Sequence, residues 1–166
     1  VTVNFEAVKE IPRLLRVLKQ LYEEEYDFQW TFIGNGDELQ WCMDFVNANG
    51  LAHVIEFMGK QDNPYIYVKQ ADVFGLFSKY EGLPNTIYEA LILGVPVCAT
   101  SVGGIKDQVI PHETGWLAEN NEKDIFNTLV YIMEHPNEVE QIKKKLINYR
   151  YDNQTIEILV NKIFTD

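Results

Sequence analysis

The 166-residue chain is 46% hydrophobic, 13% aromatic and 23% charged, which suits one compact domain with a sizeable core and argues against intrinsic disorder. Fourteen Lys and Arg against 25 Asp and Glu leave a net charge of −11, a poor platform for nucleic-acid binding, which runs on phosphate neutralisation. No window approaches the ~20 apolar residues of a membrane helix. Cys42 and Cys98 stand outside any C-x-x-C pair and point to a reducing compartment, the cytoplasm, and not to a disulfide scaffold.

Val1–Phe5 reads as a first strand, and a chain that opens without Met inside a core element is expected to be a piece of something longer. Ile11–Tyr22 follows as a helix, with Pro12 suited to its first turn and Leu14, Leu15, Val17, Leu18 and Leu21 on one face. Phe28–Ile33 is a second strand closed by Gly34-Asn35-Gly36, and Asp37–Asn49 a helix stopped by Gly50. Val54–Phe57 is a third strand, Asn63–Gln70 a short helix and Val73–Ser78 a fourth strand. The loop Lys79–Pro84 leads into a helix from Asn85 to Leu93; Val95–Thr100 is a fifth strand, and Gly103-Gly104 opens a turn or short helix. Gly115–Ala118 reads as a sixth strand, and Lys123–Glu134, Asn137–Tyr149 and Gln154–Phe164 as helices. Strands alternating with helices predict a single α/β domain over residues 1–166, a Rossmann-like, doubly wound, mostly parallel sheet with helices on both faces.

Ligands of such sheets bind beyond the carboxyl ends of the strands. The loop after the fourth strand is the richest: Ser78-Lys79-Tyr80-Glu81-Gly82-Leu83-Pro84-Asn85-Thr86-Ile87-Tyr88-Glu89. Gly82 lets a ligand approach the backbone, and Asn85 as N-cap would aim the amides near Thr86 and Ile87 at a diphosphate. Two carboxylates beside an anion site make sense if the ligand also carries sugar hydroxyls at both ends.

Glu81 and Glu89 are separated by seven residues, and this E-x7-E element is headed by Glu-Gly-Leu-Pro-Asn. It follows Ala71-Asp72-Val73-Phe74 and precedes Gly94-Val95-Pro96-Val97 and Gly103-Gly104; Phe32-Ile33-Gly34-Asn35-Gly36, Phe57-Met58-Gly59 and Thr114-Gly115-Trp116-Leu117 add to the pattern. Together they resemble the C-terminal, donor-binding domain of family 4 glycosyltransferases, the retaining group with the two-domain GT-B architecture. The resemblance runs from Val1 to the helix near Glu134. It implies that Glu81 contacts hydroxyls of the donor sugar beside the anomeric carbon and that Glu89 holds the ribose hydroxyls. It further implies that Gly82, Leu83, Pro84, Asn85 and Thr86 receive the diphosphate, and that Lys9 neutralises it as it leaves. Gly34 and Lys60 would flank the base and ribose. The departure from the family is Asn4, which stands where an Arg, a second cation on the diphosphate, is usual; either another residue compensates or activity is low or altered. Arg13 and Arg16, a helix turn or more away, read more simply as surface residues.

The function so implied is transfer of a sugar from a nucleotide-diphosphate donor to an acceptor hydroxyl with retention, without a cofactor or metal, in the synthesis of cell-surface polysaccharide. The acceptor, a glycan or lipid-linked sugar, would belong to an N-terminal domain preceding Val1, and this chain alone is expected to turn over poorly. A non-catalytic nucleotide-binding module and a sugar-nucleotide epimerase half are the alternatives. His53, His112 and His135 have no metal-ligand spacing. Lys143-Lys144-Lys145 reads as a solvated helix face; peripheral contact with an anionic membrane at its inner face is the weaker reading and needs a larger basic cluster. Gly103-Gly104 either turns the chain or makes room for a ligand.

Overall fold

The structure, a computed structural model, describes residues 9–149. The expected strand Val1–Phe5, with Asn4 in it, and the expected helix Gln154–Phe164 lie outside the described residues. The first described helix, α1 (Ile11–Glu23), forms where the apolar stripe predicts it: Ile11, Leu14, Leu15, Leu18 and Leu21 are all buried and Pro12 sits in the first turn.

From α1 the chain alternates strand and helix: β1 (Trp30–Phe32), α2 (Leu39–Ala48), β2 (Ile55–Phe57), α3 (Tyr65–Gln70), β3 (Phe74–Leu76), α4 (Asn85–Ile92) and β4 (Val97–Thr100). It ends with α5 (Ile105–Gln108), β5 (Gly115–Ala118), α6 (Glu122–Glu134) and α7 (Pro136–Leu146). Every described pairing is parallel, as the alternation requires. Among the described residues the strands pair as β1-β2 and as β3-β4-β5. They abut through side chains: the Trp30 ring lies against Gly75, where a Cβ would come within 2.8 Å of it, and 6.2 Å from the ring of Phe77.

The strands are shorter than the apolar runs that announce them. Phe28 and Phe77 are buried, yet among the described residues neither is paired in a ladder. Burial of a side chain and pairing of its backbone are separate events, and an apolar run reports only the first. β4 is buried at all four positions, with α4, α5 and α6 packed against it, and α1 packs on α2 and α6. This centre fixes the ends of β3, β4 and β5, from which the functional loops leave.

Candidate functional site

Beyond Leu76 the chain leaves the sheet through Phe77 and Ser78, both buried, and three consecutive carbonyls are held there from three directions. Arg13 Nη2 of α1 donates to Phe77 O (2.8 Å), Thr100 Oγ1 of β4 to Ser78 O (2.7 Å), and Asn120 Nδ2 of the β5–α6 loop to Lys79 O (3.2 Å). Asn120 Oδ1 in turn accepts from Arg13 Nη1 at 2.7 Å. A loop needs its buried backbone polar groups satisfied somewhere, and here side chains of other elements supply the partners.

So anchored, the loop presents Glu81. Its Oε1 accepts a hydrogen bond from Ser78 Oγ (2.7 Å) and forms an ion pair with Lys9 Nζ, 72 positions away in sequence. Both side chains of the pair are mostly covered, at 20% and 13% exposure, so solvent screens them less than a surface pair. Glu81 Oε2 has no partner among the described residues. Between Lys9 and α1, Glu10 adopts a left-handed φ of 53°, a strained turn for a residue with a Cβ.

Gly103 and Gly104 close the other side of the loop. A Cβ on Gly103 would lie 1.8 Å from the carbonyl oxygen of Glu81, and one on Gly104 2.2 Å from that of Gly82. The Gly104 N–H donates to Gly82 O at 2.9 Å. Their small size thus admits the loop that carries Glu81. Around Gly82, by contrast, a Cβ would meet open space, as an approachable backbone requires.

The expected N-cap moves by one residue. Pro84, extended with φ −67° and ψ 117°, is the cap of α4; Asn85 is the first helical residue and no side chain caps the helix. Proline holds φ near −65° and accepts the non-helical ψ that a cap needs, which leaves no cap position for Asn85. Ile87 N–H, expected to face a ligand, donates to Pro84 O at 3.2 Å; the N–H groups of Asn85 and Thr86 have no partner among the described residues. The free amides of the helix start are therefore those of residues 85 and 86, following the loop Gly82-Leu83-Pro84.

Glu89 lies in the second turn of α4, half-buried and without a hydrogen bond or ion pair among the described residues. Gly34 donates its N–H to Gly59 O at 2.9 Å, which joins the loops after β1 and β2 beside an exposed Lys60. No described hydrogen bond or ion pair joins Gly34 or Lys60 to the Lys9–Glu81 pair. Arg16 is exposed, paired with Glu122 at 2.6 Å, as expected of a surface residue. Arg13 is not: it is buried, and its membership of the α1 face that carries Val17 and Leu21, at steps of four, was the signal for it. Ser78, Thr100 and Asn120 are the other site residues that the sequence reading passed over.

A second cluster lies at the opposite, amino end of β5. There Glu138 accepts from Tyr131 Oη (2.8 Å), pairs with His112 Nδ1 (2.7 Å) and adjoins a cavity of about 240 Å³ lined by Pro111, His112, Trp116 and Tyr131 among others. Burial pushes the Glu138 pKa up, but the bonds from His112 and Tyr131 outweigh it and the net shift is downward. Among the described residues no group of three or more His, Cys, Asp or Glu could hold a metal ion, and no helix is long and apolar enough to cross a membrane.

Residues 3–149 match the family of group 1 glycosyl transferases. The chain belongs to that family. It is 29% identical over 116 residues to the N-acetyl-alpha-D-glucosaminyl L-malate synthase of Bacillus anthracis, a match covering 70% of this chain and 30% of that enzyme. The Vi polysaccharide biosynthesis protein VipC/TviE of Salmonella typhi is 32% identical over 92 residues, 55% of this chain and 16% of the relative. Among solved structures, Anabaena Alr3699/HepE in complex with UDP superposes with a TM-score of 0.78 at 18% identity, over 99% of this chain and 48% of that one. The α/β architecture is that of one half of a GT-B glycosyltransferase. The chain spans about a third or less of these two curated relatives and about half of this structural neighbour.

Proposed function

We propose that this glycosyltransferase chain is the donor-binding, C-terminal half of a retaining enzyme, which takes a nucleoside-diphosphate sugar and delivers the sugar to an acceptor hydroxyl. The observation that carries the reading is the convergence of Lys9 and Glu81 at the mouth of a loop that runs into the uncapped start of α4. Breaking the anomeric C–O bond leaves negative charge on a diphosphate. A lysine and the free amides of Asn85 and Thr86 supply the opposing charge and donors, with the α4 dipole behind them.

The Lys9 ammonium is neutralised by Glu81. Donor binding would turn Lys9 toward the diphosphate and free Glu81 Oε1 to join Oε2 on the sugar hydroxyls. Positive charge developing at the anomeric carbon would then face a carboxylate. Glu89, with no competing partner among the described residues, would take the ribose hydroxyls. This assignment neutralises the leaving group with protein groups and calls for no metal. Acceptor binding falls to the other half of the enzyme, and the name of the Vi polysaccharide relative supports a role in polysaccharide synthesis.

Calorimetric titration with UDP-glucose, UDP-N-acetylglucosamine and GDP-mannose tests the reading. Binding of at least one donor is expected, and Glu89→Ala should weaken nucleotide and nucleotide sugar alike. No heat with any donor, in a chain shown to be folded, overturns it.

A further inference from the structure

Among the described residues Arg13 is the one charged side chain that is buried. Its place on α1, on the same face as Val17 and Leu21, would suit a leucine. A buried guanidinium is costly unless it is fully engaged, and desolvation lowers the Arg13 pKa, against the opposing pull of Glu10 and Glu122. Its two Nη groups are spent on the loop that holds Glu81 and on the Asn120 that supports it, while Nε has no hydrogen-bond partner among the described residues. Nη2 takes the Phe77 carbonyl directly, and Nη1 takes Asn120 Oδ1. That contact orients the Asn120 amide so that Nδ2 faces the Lys79 carbonyl. Nε lies 3.8 Å from Glu10 Oε2, in the strained turn next to Lys9. Arg13 therefore touches both parts of the site: the turn that carries Lys9 and the strand end that carries Glu81. It does not open into the mouth of the loop and is no substitute cation for a diphosphate.

We propose that Arg13 is a positioning residue for the sugar of the donor: by holding the carbonyls of Phe77 and, through Asn120, of Lys79, it sets where Glu81 stands relative to Lys9. It thereby sets how far a nucleoside-diphosphate sugar is preferred over the bare nucleoside diphosphate. The inference rests on the reading of Glu81 as the sugar-facing group. A planar fork is needed for two divergent bonds, which lysine, a point charge, does not provide.

The test compares Arg13→Met, Arg13→Lys, Asn120→Ala and Glu81→Gln in the 166-residue chain, with UDP and GDP set against the UDP- and GDP-sugars named above. Arg13→Met should lose tenfold or more in affinity for the sugar nucleotide and less than threefold for the nucleotide, as Glu81→Gln should. The double variant Arg13→Met/Glu81→Gln should be no weaker than either single one, because both act at one group. Arg13→Lys should rescue only in part, and Asn120→Ala, at an exposed residue, should give the same pattern at smaller size. Equal weakening of both ligand types, or losses that multiply in the double variant, overturns the proposal and leaves Arg13 a structural residue.

Hydrogen exchange supplies an independent arm. Arg13→Met, or Arg13→Lys and Asn120→Ala should Arg13→Met not fold, is expected to accelerate exchange at residues 78–83 and Gly104 at least tenfold while β4 keeps its protection. Unchanged exchange there overturns the proposal whether or not any donor binds. Absence of donor binding in the unsubstituted chain counts against the proposed function alone.

Discussion

Gly103→Ala is expected to be among the most damaging single-methyl changes in this chain, and the size of its effect follows from the site geometry. The added Cβ would lie 1.8 Å from the Glu81 carbonyl oxygen, whereas such atoms essentially never come closer than 3.0 Å, so the loop must retreat by more than an ångström. Retreat breaks the Gly104 N–H bond to Gly82 O, at about 1 kcal/mol. It also pulls Glu81 off Ser78 Oγ, a bond to a charged group at about 1.5 kcal/mol or more. The φ of +48° adds about 1 to 2 kcal/mol for any residue with a Cβ. Together the loss is about 3 to 5 kcal/mol, which for a domain of this size lowers Tm by at least about 6 °C. Urea unfolding measures the first figure and differential scanning calorimetry the second. Gly82→Ala, across the same contact, places its methyl in open space and should stay within about 0.5 kcal/mol of the unsubstituted chain. A Gly103→Ala variant within about 1 kcal/mol of the parent, on the scale of an ordinary substitution, would refute the view that this glycine seats the Glu81 loop.

Three further expectations concern charge. Unfolded thiols ionise near pH 8.5, whereas burial, with a smaller push from Glu38, holds the Cys42 thiol up to about 12 and burial raises Cys98 as well; protons are then lost only on unfolding, so the thiol contribution to stability is constant below about pH 8 and falls above it by up to about 1.4 kcal/mol per pH unit per thiol. Urea titrations between pH 7 and 10 should show that alkaline slope diminished in Cys42→Ala/Cys98→Val, and an undiminished slope would refute the assignment. Arg16→Ala should cost no more than about 1 kcal/mol because its pair with Glu122 is exposed; a larger loss by urea unfolding would mean that this pair is coupled to the buried Arg13. Lys9→Ala should reduce calorimetric affinity for UDP well beyond that for uridine, and an equal reduction would remove Lys9 from the diphosphate.

The sequence made the order of elements legible because each strand and helix carries its own apolar period, and α1 emerged within a residue of expectation at its carboxyl end. Strand limits were less legible, since Phe28 and Phe77 are buried without a ladder partner among the described residues. The local motif singles out Glu81, Gly82 and the start of α4, which lie on one loop running into one helix. What stayed hidden was long-range or contrary to residue type. The Lys9–Glu81 pair closes over 72 positions. Arg13 reads as a surface residue because arginines are rarely buried, although its helical face argues otherwise. Asn85 and Pro84 both suit a helix start, and only the backbone geometry decides for Pro84. Gly103-Gly104 could have served a turn or a ligand; the φ of Gly103 and its approach to Glu81 O show a turn pressed against the loop.

The hold on residues 77–82 is made almost wholly through main-chain atoms: the carbonyls of Phe77, Ser78 and Lys79, taken by Arg13, Thr100 and Asn120, and that of Gly82, taken by Gly104. The side chains of Lys79 and Tyr80 have no part in that grip, and Tyr80 stands 70% exposed, whereas Leu83 Cδ2 lies against Gly104. Shape and sequence are thereby uncoupled within one short segment. A library randomised at Lys79 and Tyr80 should retain the loop conformation while varying what a ligand meets, so the segment can diverge, or be re-engineered, without disturbing the carboxylate at its centre.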